Sequence, residues 1–388
     1  MIRRLLPTLV GVLIVSSARA GPSSVDVRFY PGSIYSYPLD SLRGWYSALL
    51  QNSAVIWRGE QALVLAGIDL EVVSENAVIE ARPLTPPDLA KLAAGGQRLA
   101  ASGMLNEIKL QFDGEALLPA DIHLAKEATL AKNEALLITQ QLFAYRGNAT
   151  AIRLRVRGKV GGSAVDGEGS ISVSKPESKT AFRFPLKGRW FIGAGASFHS
   201  QHRWAVPQEF ALDIAKLGGD GTTHKGKGTR RSEYFAYGVP VLAAASGRVV
   251  VAVDDEPETD AYLRKPGEAA DAYFARLTKS LTGGFSRGSR ELAGNHVVIA
   301  HAEREFSVYA HLKTRSLKVK VGDIVSAGQA IGQIGTSGNS DQPHLHFHVC
   351  DRPDALMCAG IPVRFENLEL PLDLPRPLQS GDIVIARD

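Results

Sequence analysis

The sequence predicts a mainly β protein, in which an N-terminal β-sandwich-like domain precedes a C-terminal domain built on an antiparallel β-sheet. Three observations support this fold class. Short runs of alternating apolar and polar residues recur along the chain, turn residues separate them, and no long helix divides the strand candidates of the second half. Parallel strands need long crossover connections, so this spacing favours antiparallel pairing.

The bulk composition is that of a globular protein with room for two cores. The chain has 388 residues, 45% of them hydrophobic and 22% charged. Its formal net charge is +4, without a concentrated basic patch that carries interleaved aromatic residues, which argues against nucleic-acid binding. A mildly basic chain is compatible with weak attraction to anionic polymers such as a bacterial wall.

Residues 1–20 are predicted to be a secretory signal peptide. Arg3 and Arg4 form the positive start, residues 5–15 form an apolar run, and Ala18-Arg19-Ala20 resembles a cleavage site. The run is shorter than the roughly 20 residues of a spanning helix, and no later segment is apolar enough to span. The mature protein is therefore expected to be periplasmic or secreted without a membrane span, and an uncleaved amphipathic anchor is the alternative.

Residues 21–180 are predicted to form an accessory domain rich in β-strands. A helix is expected over 86–104, where Pro86-Pro87-Asp88 is a typical start. The segment 157–179, rich in Gly, Ser and Lys, predicts a hairpin followed by the domain boundary. The strand candidates are 25–29, 62–65, 107–112, 135–138 and 152–156. No catalytic constellation occurs among them, so we expect an interaction or gating module that could dock a regulatory protein partner.

Residues 181–388 are predicted to form the second domain, with glycines between its strands. A charged insertion over 254–292 interrupts the pattern, and four apolar residues in it follow helical spacing (Ala270, Phe274, Leu277 and Leu281). Such a long segment between strands is typical of a functional flap or a disordered excursion. The strand candidates are 239–244, 248–253, 296–300, 306–310, 317–321, 330–334 and 344–349.

The last of these strands carries three histidines. His344, His346 and His348 alternate with apolar residues, so a strand would place all three on one face. Neutral imidazole is the commonest metal ligand. Nine of the ten histidines follow residue 198, which favours a metal site over a solvated strand that contains histidine incidentally.

Cys350 and Cys358 are the only cysteines. In an oxidising compartment two cysteines eight residues apart can close a small loop, and we expect a disulfide between them. Two free thiols are the alternative. Zinc ligation by this pair is disfavoured, because a single cysteine pair is a poor zinc signal.

An ordered series of segments resembles the lysostaphin-type zinc metallopeptidases of family M23, also called LytM domains. It includes Gly-Asn-His-Val-Val-Ile at 294–299, Val-Tyr-Ala-His-Leu at 308–312 and Pro-His-Leu-His-Phe at 343–347. The resemblance covers roughly residues 190–370. It implies a small antiparallel β-sheet groove that holds one zinc ion, and endopeptidase activity on peptidoglycan peptides.

The resemblance also implies zinc ligands. Two of them match Asp213, in Phe-Ala-Leu-Asp-Ile, and His346. The family pattern His-x-x-x-Asp would place a histidine at position 209, but this chain has Glu209 there. Some relatives instead carry a His-Arg pair further upstream, which matches His202-Arg203. We therefore favour His202 as the first ligand, with Glu209 as the second choice because carboxylates also bind zinc.

Further alternatives stay open at this stage. His199 and His224 are weaker candidates for the first ligand. If none of the candidates binds metal, the domain would be degenerate, and the protein would bind the wall or activate another hydrolase. His348 replaces the glutamate that usually follows His-Leu-His-Phe, and we expect it to be structural rather than a fourth ligand.

Two histidines match the non-ligand histidines of the family. His344 lies two residues from His346, from where it could exchange a proton with water or donate to an oxyanion, and His311 is its expected partner. His301, at a frequent family position, and Asn339, in the turn before the histidine strand, are candidate substrate-binding residues. Turn chemistry alone also accounts for Asn339.

Overall fold

The computed structural model describes residues 24–103, 114–175, 178–281, 288–370 and 377–387. The expected signal peptide and the expected strand over 107–112 lie outside these ranges. The chain is mainly β, as predicted. Within the described ranges, no helix combines the length and the apolar character needed to cross a bilayer.

The N-terminal strands form two sheets. One has the order β1-β4-β9-β7 with β3 beside β4, and the other has the order β2-β11-β10-β5-β6 with β8 beside β5. Their bounds are β1 Val25–Tyr30, β2 Ile34–Tyr35, β3 Tyr37–Asp40, β4 Trp45–Trp57, β5 Leu63–Ser74, β6 Ala77–Leu84, β7 His123–Leu124, β8 Thr129–Leu130, β9 Glu134–Arg146, β10 Ala151–Val160 and β11 Ser163–Ser174. One apolar cluster joins Leu50 and Ile138 of the first sheet to Leu70 and Leu154 of the second. The β-sandwich-like prediction is therefore confirmed.

Local sequence explains two features of this sandwich. The hairpin expected within 157–179 joins β10 to β11 through Gly161-Gly162, whose positive φ angles suit a two-residue hairpin turn. The expected helix is α1, Pro86–Ala101, which begins after a capping box between Thr85 and Asp88. It ends three residues earlier than predicted, and a short helix α2, Gly114–Leu117, follows.

The C-terminal strands form one large antiparallel sheet of order β18-β15-β16-β17-β20-β13-β12-β23-β22, with β21 beside β20 and a separate β14–β19 pair. Their bounds are β12 Gly188–Ala194, β13 Leu212–Ala215, β14 Pro240–Leu242, β15 Gly247–Val253, β16 Asn295–Ala300, β17 Phe306–Leu312, β18 Ile324–Val325, β19 Ala330–Gln333, β20 Leu345–Cys350, β21 Gly360–Ile361, β22 Leu368–Glu369 and β23 Ile383–Ala386. Each sheet draws its strands from one side of the boundary expected near residue 180.

The predicted strand over 317–321 is wrong. The segment lies beside β19, with the Lys318 amide donating to the Ile331 carbonyl, but it does not extend into a β-ladder. Alternating sequence favours an extended backbone, whereas a strand also needs a partner along its whole length.

The helical part of the expected insertion is confirmed. It contains α3, Ala270–Leu281, and α4, Ser289–Ala293, between β15 and β16. Arg276 on α3 donates to Glu268 and to the carbonyls of Ala261 and Leu263, so the helix is bonded to its own preceding loop. Among the residues that the structure describes after position 180, there are also three short 3-10 helices: Gln201–Trp204, Val206–Gln208 and Arg231–Glu233.

Candidate metal centre

Strand pairing brings Asp213 and His346 together. They lie directly opposite each other on β13 and β20, and opposite residues of an antiparallel pair share one face. Nδ1 of His346 is 2.8 Å from Oδ1 of Asp213. Two residues that are 133 positions apart in the chain are therefore held together by the register of the sheet.

His202 joins this pair from a 3-10 helix. Its Nε2 lies 3.3 Å from Oδ2 of Asp213, and its ring centroid lies 5.2 Å from that of His346. The candidate ligand atoms of the three residues all lie within 4.8 Å of one another. The Asp213 side chain keeps 27% of its surface exposed, so the group is open to solvent.

The donor set fits a zinc ion. Two imidazoles and one carboxylate are a frequent set for catalytic zinc, and they leave a coordination position for water or substrate. Burial lowers the pKa of His202, which keeps the ring neutral. Burial alone would raise the pKa of Asp213, but the neighbouring imidazoles of His202 and His344 hold it well below its usual range. Both groups are thus in the forms that bind metal.

Glu209, the second choice for the first ligand, is not part of this group. Its Oε1 accepts a 2.7 Å hydrogen bond from Arg203, and its Oε2 accepts one of 3.0 Å from Gln51. Burial raises the pKa of Glu209, against the opposing effect of Arg203. The two weaker candidates are also elsewhere: His199 is exposed, and His224 packs against the ring of Tyr234.

His348 lies behind His346 and is almost fully buried. Its Nδ1 is 3.0 Å from Nε2 of His346, on the side of that ring away from Asp213. A metal ion on Nδ1 of His346 requires the ring proton on Nε2, where Nδ1 of His348 can accept it. This position suits the structural role expected from the sequence.

His344 and His311 stand beside the group with their ring centroids 4.9 Å apart. Nδ1 of His344 is 2.7 Å from the Gln342 carbonyl, and its Nε2 lies 3.4 Å from Oδ1 of Asp213. Burial opposes protonation of His344, but the Asp213 carboxylate outweighs it and raises the pKa to about 9. Burial and the neighbouring rings hold the pKa of His311 well below its usual range. The pKa values of two adjacent imidazoles are thereby shifted in opposite directions, that of His344 upward and that of His311 downward.

A β-bulge turns His311 toward His344. Tyr309 pairs with Val297, and Leu312 pairs with Asn295, so two residues of β17 face one residue of β16. Regular alternation would place His311 on the same side as Tyr309, which packs in the core. His311 instead has a φ of 61°, and Leu312 returns to the core. A left-handed conformation at a residue other than glycine is strained and often occurs at functional sites.

The backbone strain at His311 leads to a prediction about the stability of two variants. Both His311→Gly and His311→Ala remove the imidazole, but only glycine adopts a positive φ without strain. We expect the glycine variant to be more stable than the alanine variant by about 1 kcal/mol, the reverse of their usual order in a strand. Denaturant unfolding of both metal-free variants measures the difference. A more stable alanine variant would show that the bulge relaxes once the ring is gone.

The structure does not bring His301 to the metal group. Its ring nitrogens lie 2.8 Å from the Ser246 carbonyl and 2.7 Å from Oγ of Ser307. Ser307 is four residues before His311 on β17, which corresponds to about 13 Å along a strand. Asn339 lies nearer to the histidine strand in the sequence, in the loop before β20, where its backbone N–H donates to the Leu292 carbonyl. Its neighbour Ser340 contacts Nδ1 of His344.

Cys350 and Cys358 form a disulfide with a Cα–Cα distance of 5.7 Å. Their sulfurs lie near His348, in a second group of residues of metal-binding type among those the structure describes. Because both sulfurs are bonded to each other, they are not free to bind zinc as thiolates.

This constellation on an antiparallel sheet is a candidate metallopeptidase centre. The sequence model described as Peptidase family M23 matches residues 284–356, so the family resemblance drawn from the sequence is confirmed. The matched segment contains His311, His344 and His346, whereas His202 and Asp213 precede it.

Relatives cover the same limited share of the chain. Peptidoglycan DD-endopeptidase ShyA of Vibrio cholerae is 44% identical over 73 residues, which are 18% of this chain and 16% of ShyA. Cell division protein DipM of Caulobacter vibrioides is 38% identical over 56 residues, which are 14% of this chain and 9% of DipM. The chain thus matches less than a fifth of the length of these relatives.

Two solved structures are similar to parts of this chain. The catalytic domain of lysostaphin from Staphylococcus simulans has a TM-score of 0.25 and 19% identity, over 45% of this chain and 88% of that domain. Csd3 of Helicobacter pylori has a TM-score of 0.25 and 18% identity, over 79% of this chain and 68% of Csd3.

Proposed function

We propose that the protein is an exported zinc metalloendopeptidase that hydrolyses peptide bonds in peptidoglycan cross-links or stem peptides. The observation that carries this proposal is the convergence of His202, Asp213 and His346, whose candidate ligand atoms lie within 4.8 Å of one another. The M23 match over 284–356 and the likeness to peptidoglycan DD-endopeptidases support the substrate class.

In this proposal, the three residues hold the ion. Zinc supplies Lewis acidity to such a site, which polarises a peptide carbonyl and activates water near neutral pH. His346 is oriented by His348 at its Nε2, and Asp213 is held by its position opposite His346 on the sheet. The ligands are therefore positioned before substrate binds.

His344 and His311 are proposed to be the catalytic pair. The Gln342 carbonyl holds one proton of His344 on Nδ1, so Nε2 is the nitrogen that exchanges a proton next to Asp213. The negative charge of Asp213 raises the pKa of His344. With that charge offset by a bound cation, the pKa of His344 would be lower, and its ring could release and accept a proton near neutral pH. His311, kept neutral, has Nδ1 2.9 Å from the Ser337 carbonyl, an arrangement that leaves Nε2 for a second hydrogen bond.

The organisation of the chain is part of the proposal. Residues 1–20 are a signal peptide, 21–180 the accessory domain, and 181–388 the peptidase domain with its insertion over 254–292. Export into an oxidising compartment agrees with the disulfide between Cys350 and Cys358. Asn339, in the loop that contacts His344 through Ser340, is retained as a candidate substrate-binding residue, while the distance of His301 argues against a direct role.

Incubation with cross-linked muropeptides tests the proposal. The purified protein is expected to bind one zinc ion per molecule and to convert cross-linked muropeptides to smaller products, as followed by chromatography. A chelator should stop the reaction, and added zinc should restore it. A folded, zinc-loaded protein that cleaves none of these substrates would contradict the proposal and favour a degenerate wall-binding or activator protein.

A further inference from the structure

We infer that the N-terminal domain is a structural part of the metal centre, because it holds in place the segment that carries His202. The inference rests on the proposed function, in which His202 is a zinc ligand. Asp213 and His346 are positioned by strand pairing within the C-terminal sheet. His202 lies outside that sheet, in the 3-10 segment over 201–208, so its position depends on what this segment packs against.

The first contact comes from Gln51 on β4. This side chain is only 1% exposed, and its Nε2 donates to the carbonyl of Arg203 at 3.1 Å and to Oε2 of Glu209 at 3.0 Å. Arg203 directly follows His202, and Glu209 closes the same segment. One amide of the N-terminal domain therefore ties together both ends of the stretch that follows the proposed ligand.

The second contact is a buried cation that packs against a stacked pair of aromatic rings, Tyr37 and Phe210. The Arg203 side chain has no exposed surface, and its Nη1 donates to Oε1 of Glu209 at 2.7 Å. Its guanidinium lies 4.9 Å from the ring centroid of Tyr37 on β3 and 5.5 Å from that of Phe210. A buried guanidinium needs such compensation for lost hydration, and here one of the two rings belongs to the N-terminal domain.

The third contact is apolar. Val206, the first residue of the second 3-10 helix, is buried in a cluster with N-terminal residues that include Tyr30, Ile56 and Leu137. Nearby, Nε2 of Gln140 on β9 donates to the carbonyl of Trp204. Amide, cation–π and apolar contacts from the N-terminal domain therefore all hold this segment.

These contacts predict that disturbing the N-terminal domain lowers zinc binding, whereas removing a domain that only covers the groove would raise hydrolysis. A domain that only covered the groove would leave the ligands in place when it was removed, and hydrolysis would rise. A domain that holds the His202 segment supports metal binding, so disturbing the contact should weaken zinc binding. Partners that orient metal ligands typically contribute 10–100-fold to metal affinity.

Gln51→Leu tests the inference in the full-length protein. We expect its zinc dissociation constant, measured by competition with a chelator, to rise about tenfold or more. Gln141→Leu is the matched control, since Gln141 lies on neighbouring β9 and its amide bonds to Arg82 and Thr139 within the N-terminal domain. This control should stay within about twofold of the unaltered protein. Unaltered zinc affinity in folded Gln51→Leu would overturn the inference.

Hydrogen exchange of the unaltered, zinc-free protein gives a second reading that needs no variant. Amides over 201–210 should exchange almost as slowly as those of β4, since the N-terminal domain and not the ion holds them. Rapid exchange that slows only when zinc is added would overturn the inference. Failure of the unaltered protein to bind zinc would instead contradict the proposed function, so the two failures are distinguishable.

Discussion

Replacing His346 with alanine is expected to remove both zinc binding and hydrolysis. His346 pairs with Asp213 across β13 and β20 and lies 5.2 Å, centroid to centroid, from His202, so its loss leaves two donors where three are needed. The loss of affinity should exceed the roughly 10–100-fold that is typical of residues outside the ligand shell. Zinc content by elemental analysis should fall from one ion per molecule to well below one, and muropeptide cleavage should fall to background.

The control for this experiment is His123→Ala. His123 is an exposed histidine at β7 of the N-terminal domain, so its removal should change neither zinc content nor cleavage. If His346→Ala keeps one zinc ion per molecule, the group formed by His202, Asp213 and His346 is not the metal centre. Circular dichroism of both variants separates loss of metal from loss of fold.

Replacing His344 with alanine is expected to stop hydrolysis while zinc stays bound. His344 contacts Asp213 through Nε2 but lies outside the proposed ligand set, and proton transfer by a positioned side chain contributes about 10²–10⁴-fold to rate. The rate of muropeptide cleavage should fall by that factor, with the zinc content near one ion per molecule. This combination separates a catalytic histidine from a ligand.

The same variant distinguishes the enzyme from a degenerate relative. A wall-binding or activator protein would keep its biological activity in His344→Ala, because its action would not need proton transfer. Cleavage by His344→Ala at the unaltered rate would therefore remove His344 from the proposed mechanism. His344→Gln, which keeps a polar side chain of similar size, should lose the rate as alanine does.

Local pattern was enough to predict several elements. Alternation over 344–349 predicted a strand with its histidines on one face, and β20 covers 345–350. Helical spacing of Ala270, Phe274, Leu277 and Leu281 predicted α3. Such patterns succeed because side-chain period and backbone conformation are set by neighbours in the chain. The strand expected over 317–321 was wrong because pairing depends on a distant partner.

The candidate site shows the same division. Family resemblance singled out Asp213, His311, His344 and His346, but it left the choice between His202 and Glu209 open. The tertiary contacts separate the two residues: Glu209 accepts hydrogen bonds from Arg203 and Gln51, whereas His202 faces Asp213. No signal within residues 199–213 reports the position of Gln51, which is some 150 residues away in the chain.

By itself, the sequence determined the mainly β architecture, the antiparallel C-terminal sheet, the family resemblance and most of the residues of the proposed site, since these follow from periodicity and ordered motifs. Only the tertiary structure showed which side chain lies beside Asp213 and His346, and how His311 reaches this group. Regular alternation would point His311 into the core, and the bulge at φ 61° turns it toward His344. Both outcomes depend on contacts between distant parts of the chain, and nearest-neighbour preferences do not encode such contacts.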